Sequence, residues 1–235
     1  MESQEPPPLD LKRVLLTAAP ALVISVVAGG WCAAAAGPTL GTFLGGLAVA
    51  TLLSGPLILA EEGFWQRAIV AAAIADGIAL SWLPAVFEVP LRLMHWLGAY
   101  AVVAGLVTAC WGLGSLLRRL RLPAAVASAI VVLVGLAWLS WPVWLATVLR
   151  GQQYERLVEA LVTANPLFAL NGLLLSYFEP WATYSIAYRL TTLGDDVNYA
   201  MPRSILPCLG LHLALGGILL ALARKKGHHR RPAQL

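Results

Sequence analysis

Charged residues are scarce in this sequence of 235 residues, where Asp, Glu, Lys and Arg together make up 12%. A soluble domain carries about a quarter charged residues, because its surface has to be hydrated. With 59% hydrophobic residues, the chain lacks the polar groups to cover a sphere of its size. The composition excludes a soluble globular domain, a disordered chain and a nucleic-acid-binding domain, although the net charge is +4.

Cysteine is also rare. Cys32, Cys110 and Cys208 all lie in apolar runs and have neither metal-ligand spacing nor the pattern of a disulfide framework. The phosphate-binding pattern Gly-x-x-x-x-Gly-Lys-Ser/Thr does not occur, so the chain does not hydrolyse ATP by that route. We therefore predict no metal, no bound cofactor and no catalytic residue set.

Long apolar runs, by contrast, are abundant. A bilayer core of about 30 Å is crossed by roughly 20 apolar residues in a helix. Six runs meet this length: Val14–Ala36, Leu40–Ala60, Ala68–Val86, Trp96–Leu117, Ala124–Leu149 and Ile205–Ala223. The sequence thus predicts an all-α, multi-pass protein of the cytoplasmic (inner) membrane with six spans.

The basic residues predict its orientation, because Lys and Arg concentrate on the cytoplasmic side of membrane proteins. With the N-terminus inside, 11 of the 16 Lys and Arg residues fall in cytoplasmic segments. We expect a single membrane domain with both termini inside. Its parts are a leader (1–13), five spans (14–149), an outer segment (150–203), a sixth span (204–223) and a basic tail (224–235).

The outer segment Arg150–Arg203 is the one long connection. Tyr154–Thr163 has the pattern of an amphipathic helix, Asn165-Pro166 interrupts it, and the apolar run Leu167–Phe178 contains Asn171. Six aromatic residues follow within a short stretch: Tyr177, Phe178, Trp181, Tyr184, Tyr188 and Tyr199. Since such rings settle at headgroup depth, we expect a re-entrant or interfacial helical hairpin at the outer leaflet. A small lid packed over the bundle is the alternative.

One ionisable residue lies in the middle of a predicted span. Around Asp76, the small residues Ala71, Ala75 and Ala79 recur at every fourth position and form a stripe that lets another helix approach closely. A carboxyl group inside the membrane is costly and usually functional. Asp76 is either a proton or substrate contact facing the bundle interior or a hydrogen-bonding group that joins two helices.

Two histidines, His95 and His212, are placed by the predicted topology near the outer side. A pair at one depth could bind haem or a metal, whereas a single membrane histidine usually hydrogen-bonds to a neighbour. Glu61-Glu62 with Arg67 resembles the Glu-Glu-x-x-x-Arg motif of CAAX-prenyl-protease-like intramembrane enzymes, but four residues instead of three precede the arginine. The ordinary interpretation is a charged interfacial turn. Two small-residue pairs, Gly41/Gly45 and Gly217/Ala221, predict helix packing.

The layout as a whole resembles the membrane-spanning subunits of type-2 ATP-binding-cassette exporters. The likeness covers about a third of the chain, from Trp96 to Gly172. It includes the end of an apolar run, Gly-Leu-Gly-Ser-Leu-Leu-Arg-Arg, before Pro123 and the Asn-Pro-Leu element at Asn165. It implies re-entrant helices before the last span and a separate cytoplasmic ATPase. The leader is shorter and richer in proline than is usual there, and Ala60–Arg67 is a short coupling segment.

This resemblance implies an exporter subunit that works as a homodimer or heterodimer. Glu61, Glu62 and Arg67 would contact the ATPase, and four residues would line the path or pack beside it: Asp76, Asn165, Asn171 and His212. The alternatives are a non-catalytic scaffold that docks a partner through Tyr184–Tyr199, and an intramembrane enzyme that uses the glutamates or histidines. Substrate and direction of transport do not follow from the sequence.

Overall fold

The computed structural model describes residues 11–145, 148–149, 152–177 and 200–224. Within these ranges the regular structure consists of helices, which confirms the all-α fold class. The described part of the chain forms ten α-helices: α1 (Leu11–Ala36), α2 (Leu40–Ala60), α3 (Phe64–Ser81), α4 (Leu83–Glu88), α5 (Leu93–Arg119), α6 (Ala124–Leu139), α7 (Trp141–Leu145), α8 (Glu155–Ala164), α9 (Pro166–Leu174) and α10 (Leu206–Arg224).

Among the residues that the structure describes, five segments are long and apolar enough to cross a membrane, and the number is six if the bent pair α8–α9 counts as one span. They are Val14–Ala36, Leu40–Ala60, Phe64–Glu88, Leu93–Arg119 and Leu206–Arg224, each close to a predicted span. Their length and composition indicate a multi-pass membrane protein. The third of them combines α3 and α4.

The predicted span Ala124–Leu149 does not form one continuous helix. Helix α6 ends at Leu139 after 16 residues, or about 24 Å, which is short of a bilayer core. Pro142 has no backbone N–H to donate to the carbonyl of Trp138. The chain therefore breaks at Ser140 and restarts as the five-residue helix α7.

Close helix contacts at glycines fix the directions of the helices. Along α1 and α3, Gly29 lies against Ser81 and Gly77 against Ser25, so the two helices run parallel in one register. Along α5 and α10, Gly105 lies against Leu209 and Gly112 against Gly216, which makes this pair parallel as well. Helices α2 and α6 are antiparallel, since Gly55 contacts Ser128 and Gly135 contacts Thr51.

The pair α5–α10 corrects one sequence prediction. Gly216 packs against Thr108 and Gly112 of α5, whereas nothing lies within 4 Å of the position of a Cβ on Gly217. Ala221 is exposed. The packing face of α10 is thus displaced by one residue from Gly217/Ala221, while Gly45 does pack against Cys32 between α1 and α2.

Helix α2 forms the centre of the bundle and contacts α1, α3, α5, α6 and α9. More than half of its residues are buried, among them Phe43, Leu47 and Ile58. Helices α1 and α10 lie at the periphery and expose large apolar side chains such as Trp31 and Ile218. Such surfaces are stable in contact with lipid.

These directions give the bundle two distinct ends. We call the end where α2 and α5 finish and α3 begins the basic end, because Arg67, Arg118, Arg119 and Arg224 lie there. At the opposite end, the distal end, α8 and α9 meet at an angle of 78° around Asn165. The amphipathic helix and the break at Asn165-Pro166 predicted from the sequence are confirmed.

Helix α9 is inserted into the bundle, where it contacts α2, α5 and α10. Phe168, Ala169, Leu170 and Leu174 are fully buried. Of the six aromatic residues expected at headgroup depth in the outer segment, the structure describes Tyr177. The other five, together with the N-terminal residues 1–10 and the basic residues beyond Arg224, lie outside the described residues.

Candidate functional site

The turn between α2 and α3 carries the three residues expected to contact an ATPase. Glu61 is half-buried, Glu62 is exposed, and the Nε of Arg67 donates a hydrogen bond of 2.8 Å to the backbone carbonyl of Glu61. The side chain of Gln66 accepts a bond of 3.0 Å from the N–H of Gly63 and so caps the start of α3. The turn is therefore held in a defined conformation at the basic end.

A cleft of about 430 Å³ opens beside this turn. It lies between the start of α3 and the ends of α5 and α10. Its lining consists of Glu62, Phe64, Arg67, Ser115, Arg118, Arg119, Leu220, Ala223 and Arg224. Four arginines and one glutamate give this lining a formal charge of +3.

Asp76 lies at the midpoint of the 25-residue segment Phe64–Glu88. Its Oδ1 accepts a hydrogen bond of 3.0 Å from the hydroxyl of Tyr100 on α5, and its side chain is exposed on the surface of the bundle. The inward orientation expected from the sequence is not found, whereas the expected bond across a helix pair is. Ala71, Ala75 and Ala79 of the same helix are buried.

His212 is buried, and both of its ring nitrogens have hydrogen-bond partners. A backbone carbonyl only accepts, so Nδ1 donates to the Cys208 carbonyl at 2.7 Å. Nε2 then accepts from the indole N–H of Trp138 at 3.1 Å. This geometry assigns the Nδ1–H tautomer and connects α10 to the end of α6.

The same end of α6 is connected to the α8–α9 hairpin. Asn165 Nδ2 donates a bond of 2.6 Å to the Trp138 carbonyl, the group that Pro142 leaves without a helical donor. Asn165 Oδ1 accepts from the N–H of Leu167 at 2.8 Å and caps α9. One buried asparagine thus supplies a donor to the last turn of α6 and an acceptor to the first turn of α9. A second side chain, Trp144, also bonds to the end of α6, since its Nε1 donates to the Ala137 carbonyl.

Asn171 is buried in α9, and neither its Nδ2 nor its Oδ1 has a hydrogen-bond partner among the described residues. A buried polar group without a partner costs about 1–3 kcal/mol. Among the described residues, therefore, this amide contributes no hydrogen bond to the packing of α9.

His95 lies in the first turn of α5, where its Nδ1 is 3.2 Å from the hydroxyl of Tyr177. His212 packs against Gly105, ten residues further along α5, or about 15 Å away along the axis. The two histidines therefore do not lie at one depth, which a shared haem or metal site would require. Glu62 is further still, because it lines the cleft with Arg118 at the other end of α5.

The two histidines are thus separated from each other and from the glutamates, whereas Glu61 and Glu62 lie next to each other in the turn. From His95 to Arg118 is 23 residues of helix, or about 35 Å, far beyond the reach of a shared proton transfer. Within the described residues there is also no group of three or more His, Cys, Asp or Glu side chains that could hold a metal ion.

A second cavity, of about 420 Å³, lies between α5, α6 and α10. Leu106, Val131, Leu215 and other apolar side chains line it, and Trp138 and His212 close one end. Because the nitrogens of these two rings bond to one another and to Cys208, they have no group left with which to recognise a ligand.

Sequence reasoning missed Tyr100 and Trp138, the partners of Asp76 and His212. Both lie in apolar runs and carry no motif, so only the packing of α3 on α5 and of α6 on α10 reveals them. The chain matches no protein-family model, no curated protein and no solved structure.

Proposed function

We propose that this chain is the membrane-spanning subunit of an ATP-driven exporter of the cytoplasmic membrane, which works with a separate nucleotide-binding subunit. The main support is the polarity of the bundle. A capped, charged turn and an arginine-lined cleft occupy one end, and a kinked helical hairpin inserted among the long helices occupies the other. The resemblance of the sequence to type-2 exporter subunits likewise implies an ATPase contact at one end and re-entrant helices at the other.

In this proposal the basic end faces the cytoplasm and the ATPase. Glu62 and the turn around Glu61 form the contact, with Arg67 holding the turn through the Glu61 carbonyl. The energy of ATP hydrolysis would reach the bundle through α2 and α3, which meet at this turn. The distal hairpin α8–α9 would open or close the outer end of the path.

The position of Asp76 favours an assembly of two subunits. A carboxylate in the middle of a bilayer costs about 2.5–3.5 kcal/mol on insertion scales, and one hydrogen bond from Tyr100 offsets only part of this. A second subunit over the exposed face of α3 would shelter Asp76 from lipid. We propose that the transport path runs along this interface.

Co-purification tests the ATPase partner. The full chain, expressed with the genes that surround its own, should retain an ATPase subunit, and the double variant Glu61→Ala/Glu62→Ala should lose it. The matched control is Glu155→Ala/Glu159→Ala, which removes two exposed acidic side chains of α8 at the distal end. An intact complex in the first variant, or unaltered transport by a partner-free preparation, would contradict the proposal.

Cysteine labelling tests the proposed topology of six spans with both termini inside. In a chain without its three native cysteines, Gln153→Cys should react with a membrane-impermeant maleimide on intact cells. Glu62→Cys should react only after the cells are opened. Both positions are exposed, so accessibility differs by side alone. The reverse pattern would place the hairpin in the cytoplasm and refute the exporter proposal.

A further inference from the structure

The arginine-lined cleft at the basic end has the properties of an anion site. Arg67, Arg118, Arg119 and Arg224 surround a volume of about 430 Å³ with one acidic side chain, Glu62. Four like charges around one cleft repel each other, and a bound anion would relieve that repulsion. Arginine is also the side chain best suited to phosphate, because its planar fork donates two parallel hydrogen bonds.

Three of these arginines are held in place by contacts that leave N–H groups available. Arg67 uses Nε on the Glu61 carbonyl, and Arg118 uses Nη1 on the Leu122 carbonyl at 2.9 Å. The guanidinium of Arg224 lies over the ring of Phe64, 3.4 Å from its centroid. Stacking of this kind leaves the N–H edge of the guanidinium unoccupied. The donors are therefore oriented before a ligand arrives, which lowers the entropic cost of binding.

The apolar part of the cleft indicates what the anion is attached to. Leu220 and Ala223 of α10 form one wall. The same helix exposes Leu213, which lies two turns before Leu220 on the same face of α10 and continues an apolar surface away from the cleft. A ligand with a phosphate at one end and hydrocarbon at the other matches both surfaces. A free phosphate ion would use only the arginines.

We propose that this cleft binds the phosphate of an anionic membrane phospholipid, with the acyl chains lying along the exposed face of α10. Arg119 and Arg224 would donate to the phosphate oxygens beside Arg67 and Arg118. The proposal concerns a lipid bound by the chain alone and does not depend on an ATPase partner.

Native mass spectrometry of the full, delipidated chain in detergent tests the proposal directly. The probes are phosphatidylglycerol, phosphatidylcholine with the same acyl chains, and inorganic phosphate. We expect phosphatidylglycerol to bind at least about tenfold more tightly than phosphatidylcholine, with an affinity that falls as salt is added. Equal binding of the two lipids would overturn the proposal. Equal binding of inorganic phosphate would identify a free anion as the ligand and overturn the lipid assignment.

The variant Arg119→Gln/Arg224→Gln removes two of the four charges and leaves the hydrogen bonds of Arg67 and Arg118 to backbone carbonyls intact. Each arginine near anionic headgroups contributes about a fivefold gain in affinity, so phosphatidylglycerol binding should weaken about 25-fold. Arg92→Gln/Arg203→Gln is the matched control, because it removes two exposed arginines at the distal end. It should leave binding unchanged.

Equal losses in the two variants would show a general charge effect and refute the site. If Arg119→Gln/Arg224→Gln binds the lipid normally but loses a co-purifying protein, the cleft is a protein-docking surface and the proposal is wrong. Should that variant fail to fold, the lipid preference and salt dependence of the unmodified chain still test whether an anionic lipid is bound. Loss of the ATPase on substitution of Glu61 and Glu62 is a separate result, so the two proposals fail separately.

Discussion

The side chain of Asn165 donates a 2.6 Å hydrogen bond to the backbone carbonyl of Trp138, the carbonyl that Pro142 deprives of its helical donor. The carbonyl that Pro142 frees at the end of α6 is thereby bonded to the residue that caps α9. Asn165 is also fully buried. Its two bonds fix the position of the α8–α9 hairpin relative to α6.

Replacing Asn165 by Ala should destabilise the protein. The cap of α9 is lost, at about 1 kcal/mol, and the buried Trp138 carbonyl loses its partner, at about 1–3 kcal/mol. We expect a decrease in the free energy of unfolding of about 2–4 kcal/mol, measured by thermal denaturation in detergent.

The variant Pro142→Ala provides the control for Asn165. Alanine restores an N–H group that can bond to the Trp138 carbonyl within a continuous helix. In that background, Asn165→Ala should cost less than in the natural sequence, which a double-mutant cycle measures as a coupling energy. Additive effects would show that the Trp138 carbonyl does not depend on Asn165.

Two adjacent glycines of α10 should respond differently to the same substitution. A Cβ on Gly216 would lie 2.8 Å from the carbonyl oxygen of Thr108 and 2.9 Å from its carbonyl carbon. Gly216→Ala forces α5 and α10 apart and should cost about 1–3 kcal/mol. Gly217→Ala meets open space and should leave the melting temperature unchanged or raise it, since Ala favours helix. Equal melting temperatures for both variants would refute the α5–α10 register.

Asp76→Asn should separate charge from hydrogen bonding. An amide oxygen still accepts from Tyr100, so we expect the variant to fold with normal stability and to lose transport. Tyr100→Phe removes the bond and retains the carboxylate, and should cost about 1 kcal/mol of stability. If Asp76→Asn lowers stability and transport together, the carboxylate holds α3 on α5. Normal transport would remove Asp76 from the path.

Asn171→Leu tests the unpartnered amide of α9. Removing two buried polar atoms that lack partners is neutral or stabilising when the new side chain has a similar shape. The melting temperature should therefore stay level or rise, while transport falls if the amide faces the path. A clear loss of stability would show that Asn171 has a partner, such as a buried water molecule.

The sequence predicted the long helices well because membrane spans are set by length and hydropathy. Leu40–Ala60 agrees at both ends with α2, and Pro20 and Pro56 lie inside α1 and α2 without ending them. Pro142 behaves differently, since Asn165 offers the freed carbonyl a donor from 27 residues away. No local pattern reveals such a contact.

The side of a helix that packs against its neighbours was harder to predict than the length of the helix. Helix α10 is apolar around its circumference, so its sequence has no periodicity to distinguish Gly216 from Gly217. The exposed position of Asp76 depends on the arrangement of α3 and α5, and its partner Tyr100 lies 24 residues away along the chain. For the same reason, the sequence indicates Arg118, Arg119 and Arg224 only as markers of orientation and Arg67 as an ATPase contact, and does not predict that the four surround one cleft.

The bond between Asn165 and Trp138 also has a consequence for biosynthesis. The Trp138 carbonyl leaves the ribosome 27 residues before the side chain that will bond to it. At about 5–20 residues per second, that interval lasts about one to five seconds. During this time the end of α6 cannot enter hydrocarbon without an unpaired carbonyl, so it must wait beside water or inside the insertion machinery. Final assembly of this part of the membrane domain therefore follows translation of the hairpin.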